Sequence, residues 1–210
     1  MSYIAAIDYE HLDDGLFLTG LAQSISKQKK TQQIILHADS AYTERIMQTG
    51  VMREDAKIRS QKDLNHRLIA LFADEGIAAI GINGYQRKLI RLEDNELVLD
   101  KKQFKQLPRP SAIVLSCLVW DEQKAAAVPV TLPRLAGFLE KSLEIDELFI
   151  FNKSDSGLKD NSNKSRHRLS DEFKEEHLPE EFQNNEHSFY LTTARDFQYV
   201  PDLKSCIYIE

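Results

Sequence analysis

The chain has 210 residues, 42% of them hydrophobic and 29% charged, and a formal net charge of −6. That length and balance fit one globular domain, residues 1–210, with a sizeable core. The acidic balance argues against a nucleic-acid partner, which needs Lys and Arg gathered on one face. No run approaches the roughly 18 apolar residues of a membrane span, so no membrane partner is expected either.

The N-terminal stretch MSYIAAIDYEHLDD has no basic leader and no long apolar run, so a signal peptide is not expected and the cytoplasm is. Residues 3–7 read as a strand. Residues 16–29 place Leu18, Leu21, Ala22 and Ile25 on one helical face. Residues 34–37 form a second apolar run, followed by Ala38, Asp39 and Ser40. A short helix is expected over 42–48, stopped by Gly50, and a longer one over 63–74, with Gly76 at its C-cap. A strand follows over 77–82, then a hairpin over 89–100 folded about Glu93-Asp94-Asn95-Glu96.

The run 113–120 reads as one buried strand, 132–142 as a helix with Leu135, Leu139 and Leu143 inward, and 147–151 as the next strand. Residues 152–186 are polar and charged, and read as a mobile insertion ending in a short polar helix. Strands are expected over 189–192 and 206–209, pairing as neighbours because the segment between them is too short for a helical crossover. Strand-helix alternation of this kind predicts a three-layer α/β fold around a mostly parallel sheet.

Cys117 and Cys206 sit in apolar runs without a second Cys or a His at ligand spacing. They read as buried free thiols in a reducing compartment. His167, His177 and His187 match no ligand spacing, so no metal site is expected. Ser154 and Ser156 have no visible Ser-His-Asp arrangement around them.

The order of elements and several strings resemble the amino-acid kinase family, the acetylglutamate kinase branch most of all. One match runs from Leu64-Asn65-His66-Arg67 through Ile77-Ala-Ala-Ile-Gly-Ile-Asn-Gly84 to Lys88-Leu89-Ile90-Arg91. A second runs from Leu135-Ala136-Gly137 to Gly157. The resemblance spans residues 3–158 and implies a shortened nucleotide-binding half. It implies pairing into a homodimer, and ATP and Mg²⁺ as cofactors if the kinase reaction is retained.

Phosphoryl transfer needs cations and N–H groups around the moving oxygens. The family's first strand ends in a Lys and a Gly pair; here the Lys falls on Ala6 or Asp8, and the pair on Asp8-Tyr9 or Tyr9-Glu10. Its second strand ends His-Gly-Gly-Gly; here it is His37-Ala38-Asp39-Ser40. The family's Asn-x-Asp pair falls on Thr131 and Pro133, and the later basic residue has no counterpart, although Lys153, Lys159 and Lys164 lie nearby in sequence.

Asp8, His37 and Asp39 are therefore candidate acid-base groups. Ser40, Arg53, Asn83 and Gly84 are candidate substrate contacts, with Arg53, and Arg59 after it, suited to clamp a small carboxylate ligand. Each has a plainer reading: a structural His37, an N-cap at Asp39 or Ser40, a solvated Arg53, and a turn at Asn83-Gly84. The function expected from these losses is a kinase-like protein without catalysis, serving ligand sensing or assembly. The alternatives are an active kinase for an N-acylated amino acid, or an acid-base enzyme of another class reusing the cleft.

Overall fold

A computed structural model describes residues 2–28, 32–108, 110–153, 171–184, 187–202 and 206–209. The main sheet has the strand order β11-β10-β9-β1-β2-β6-β3. Its members are β1 (Ser2–Ile7), β2 (Gln32–His37), β3 (Ala79–Asn83), β6 (Ala112–Ser116), β9 (Leu148–Phe151), β10 (Phe189–Thr192) and β11 (Ile207–Ile209). Every pairing is parallel except that of β10 with β11, which are antiparallel neighbours as expected. A four-stranded sheet of order β5-β4-β7-β8 packs beside it, from β4 (Ile90–Glu93), β5 (Glu96–Leu99), β7 (Leu118–Asp121) and β8 (Ala126–Pro129).

Helices cover both faces of the main sheet, which is why its central strands are buried on both faces and mostly apolar. Tyr3, Ala5 and Ile7 of β1 join one core cluster, with residues of α1 (Gly15–Lys27) and α3 (Arg53–Asp74). Ile4 and Ala6 join the other, with α5 (Leu132–Leu143) and the second sheet. Asp14 caps α1 by accepting from the N–H groups of Leu16 and Phe17. Gly50 and Gly76 take φ of +90° and +73° after α2 (Tyr42–Met47) and α3, the left-handed conformation that ends helices.

Three expectations need correction. The buried run 113–120 is two strands, not one. The chain leaves the main sheet at Cys117, whose N–H still donates to His37 O, and enters the second sheet at Leu118. Both halves are buried, so the apolar run carries no mark of the change. Helix α3 starts ten residues before the expected Asp63. Its first half buries Ala56, Ser60 and Gln61, small or polar side chains that leave no apolar period. Strand β8 and α4 (Lys101–Gln106) were not expected at all.

The polar insertion is partly packed. Residues 154–170, 185 and 186 lie outside the described residues, and with them Ser154, Ser156, Gly157, Lys159, Lys164 and His167. The short polar helix is present as α6 (Asp171–His177). Beyond it, Leu178 and Phe182 are each 1% exposed and belong to the core. Among the described residues no helix is long and apolar enough to cross a membrane.

Candidate functional site

Parallel pairing brings the carboxyl ends of the strands to one edge. Ile7, His37, Ser116 and Asn83 stand in one row across β1, β2, β6 and β3. The chain after β1 crosses to the α1 face, while the described segment after β9 packs on the α5 face. Strands that send their connections to opposite faces open a crevice at their carboxyl ends, where open α/β sheets hold ligands. A cleft of about 630 Å³ lies there. Its walls are residues 8–10 after β1, 38 and 39 after β2, Thr43 and Glu44 of α2, Arg53 and Lys57 of α3, 129–132 at the start of α5, and 179–181.

Among the described residues the cleft is acidic. Asp8, Glu10, Asp39, Glu44, Glu180 and Glu181 face two cations, Arg53 and Lys57. Both cations are already engaged. Arg53 pairs with Glu44 at 3.3 Å, and Lys57 stands 4.0 Å from Asp39. Asp39 also accepts from Thr43 Oγ1 at 3.3 Å. Burial raises the Glu181 carboxyl above its usual range, Tyr9 N–H opposes that, and the charges of Asp8 and Asp39 add to it. Tyr9 is raised too, by burial and then by Asp39 and Glu44.

Asp8 forms the floor of the cleft, but its carboxylate is spent on the fold. Oδ1 accepts from Glu10 N–H at 3.0 Å and His11 N–H at 3.3 Å, and Oδ2 meets His11 Nδ1 at 2.5 Å. The other ring nitrogen of His11 reaches Asn152 O at 3.1 Å. His37 is fully buried beneath Asn65 of α3 and is not part of the cleft lining. Its Nδ1 donates to Ala38 O at 3.0 Å, and its Nε2 accepts from the Asn65 amide at 3.2 Å. Burial pushes its pKa down to about 4, so the ring is neutral at pH 7.

Ser40 is buried and accepts from Tyr42 N–H at 3.2 Å, a local turn contact just before α2, whose N-cap is Ala41. Asn83 accepts from Ser116 Oγ at 2.7 Å, and its N–H donates to Gln86 Oε1. At Gly84 a Cβ would stand 2.7 Å from Leu118 O, so glycine serves the junction of the two sheets. Of the seven candidate residues, the cleft gathers Asp8, Asp39 and Arg53; His37, Ser40, Asn83 and Gly84 stand outside its lining. Arg59 is exposed and outside it as well. Thr131 lines it at the N-cap of α5, and Pro133 sits in that helix's first turn.

No protein-family model and no curated protein sequence matches the chain. Solved structures do. Isopentenyl phosphate kinase from T. acidophilum, in a product complex, superposes over 100% of both chains with a TM-score of 0.65 and 10% identity. N-acetylglutamate synthase from Neisseria gonorrhoeae, complexed with coenzyme A and L-arginine, matches 99% of this chain and 61% of its own (TM-score 0.61, 13% identity). Aspartate kinase from Synechocystis matches 71% of this chain and 28% of its own (TM-score 0.59, 12% identity). The fold is the amino-acid kinase fold.

Within this kinase fold, several cleft residues had no signal in sequence. Lys57 lies in the half of α3 that was not expected, and Pro129 ends the unexpected β8 with Val130 just after it. Glu180 and Glu181 belong to a charged stretch that reads as solvated surface, and only their two flanking studs, Leu178 and Phe182, distinguish it.

Cys117 lies fully buried, and its thiol is pushed well up by burial first and by Glu181 and Asp39 after it. Burial pushes Cys206 up to about 11. At pH 8 the thiolate of Cys206 is then about a hundredfold scarcer than for a cysteine with an ordinary pKa of 9.0. Native protein should therefore show no fast reaction with Ellman's reagent at pH 8, and two thiols in urea. A rapid native thiol would contradict this placement.

Proposed function

We propose that this chain is a non-catalytic member of the amino-acid kinase fold that binds a small amine or amino acid in place of a nucleotide. One observation carries the reading: among the described residues, the cleft at the carboxyl ends of the strands is lined by six carboxylates and by two cations already paired with some of them. A triphosphate brings several negative charges and needs Lys, Arg, Mg²⁺ or free N–H groups around it. Facing carboxylates oppose it. A ligand ammonium or guanidinium is favoured by the same walls, and Arg53 and Lys57 can receive its carboxylate by exchanging partners.

The losses at Ala6 or Asp8, at Ala38-Asp39-Ser40 and at Pro133 support the same reading. The relative from Neisseria gonorrhoeae, seen with L-arginine, is consistent with an amino acid as ligand on this fold. An acetylglutamate-related sensing role is the specific form that we propose.

Thermal shift tests it directly. A ligand present at 100 times its Kd stabilises the native state by about 2.7 kcal/mol. For a domain of this size that is a rise of several degrees in Tm. ATP with Mg²⁺ should give no rise, and L-arginine, L-lysine or a short diamine should give one. Stabilisation by ATP with Mg²⁺, followed by phosphoryl transfer to N-acetylglutamate, would establish the kinase reading. Flat responses to every amine and amino acid would sink the ligand class proposed here.

A further inference from the structure

Three consecutive backbone N–H groups follow β1, those of Tyr9, Glu10 and His11. Such a turn at the carboxyl end of a parallel strand is a ready seat for an anion. Here all three donors already meet carboxylates. Glu10 and His11 donate to Asp8 Oδ1, a local contact within the turn. Tyr9 donates to Glu181 Oε1 at 3.2 Å, across 172 positions of sequence.

We propose that Glu181 is an internal anion that occupies the seat after β1 and closes this end of the cleft to anions from solution. Its position is imposed by packing. Leu178 and Phe182 on either side are each 1% exposed and anchored in the core. Upstream, Lys153 N–H donates to His177 O at 3.2 Å, and His177 Nδ1 meets Asn152 Oδ1 at 3.1 Å. Charge alone would drive Glu181 elsewhere, because Asp8 and Asp39 both disfavour its ionised form, more than Lys57 favours it. A carboxylate set against like charges, with a backbone N–H as its bonded donor, is filling the place of a ligand oxygen. The inference rests on that contact and stands whatever the cleft itself binds.

Hydrogen exchange at Tyr9 tests it in the full chain. In Glu181→Ala the Tyr9 amide should exchange about tenfold faster, with amides of β1 unchanged. Acetate, which can enter the vacated seat, should slow it again, and chloride at the same ionic strength should not. Glu181→Gln keeps the shape and an acceptor, and guards against loss of folding: its Tyr9 amide should stay slow to exchange but move in chemical shift as the charge is lost. Unchanged Tyr9 behaviour in both variants overturns the proposal. So does faster exchange in Glu181→Ala that acetate reverses no better than chloride.

Discussion

Gly81→Ala should destabilise the protein by about 3 kcal/mol or more, although it adds one methyl group to a half-exposed edge strand. Its backbone does not have positive φ, so alanine is not excluded by conformation. The obstacle is α3. A Cβ at position 81 would stand 2.1 Å from Asn65 Oδ1 and 3.2 Å from Ile69 Cγ1. Asn65 cannot simply swing away. Its amide nitrogen stands 3.2 Å from each of His37 Nε2, Ile82 O and Val114 O, so two N–H groups are shared among three acceptors and tie α3 to β2, β3 and β6 at once. Moving it leaves buried acceptors without a donor, at about 1–3 kcal/mol for such a group.

The mechanism is separable from simple overpacking by a double-mutant cycle. Asn65→Ala alone should also destabilise strongly, because the three acceptors lose their donor. With Asn65 truncated, however, Gly81→Ala meets mainly Ile69, and its added effect should fall by more than half. Urea melts of the two single variants and the double variant measure this. Strict additivity would show that the Asn65 side chain is not what the methyl group strikes.

That junction also shows how far the sequence could be read. Asn65 and His37 were each visible, one on a helix and one at a strand end, and the run Ile80-Gly81-Ile82-Asn83-Gly84 was legible as a strand leading to a turn. Their meeting was not, because a contact across 28 residues depends on how α3 lies over the sheet. Elements with a clean apolar period, such as β1, α1, β2 and the β4–β5 hairpin, were legible. Elements whose buried positions are polar or small were hidden, as the first half of α3 shows with Ser60 and Gln61.

The sign of the cleft was readable for a different reason. Parallel strands deliver their carboxyl ends to one place, so Asp8, Glu10 and Asp39 had to converge once a parallel sheet was inferred. Glu181 reaches the same place only because Leu178 and Phe182 pack, and nothing periodic announces two apolar residues in a charged stretch.

The buried His37 should give the protein a sharp acid sensitivity between pH 6.5 and 4. Its ring is neutral in the native state down to about pH 4, against 6.5 for a free histidine. Between those values the unfolded chain takes up a proton that the native state refuses. Stability from this group is therefore complete above pH 6.5, falls as pH drops, and is exhausted near pH 4. The slope reaches at most about 1.4 kcal/mol per pH unit, and the whole loss is on the order of 3 kcal/mol. Three carboxyls act in the opposite sense. Glu140, Glu147 and Glu181 are raised by burial, so each contributes more to stability when protonated and loses that contribution as pH rises through its native pKa. Wild-type melts alone would therefore show only the balance. Ring-carbon resonances of His37 separate the two, because they report its own protonation. They should hold still from pH 8 to about 5 and move only near 4, and a midpoint close to 6.5 would mean that the ring is open to water. His37→Gln should correspondingly flatten the urea-derived stability curve between pH 6.5 and 4, whatever it does to stability at pH 7.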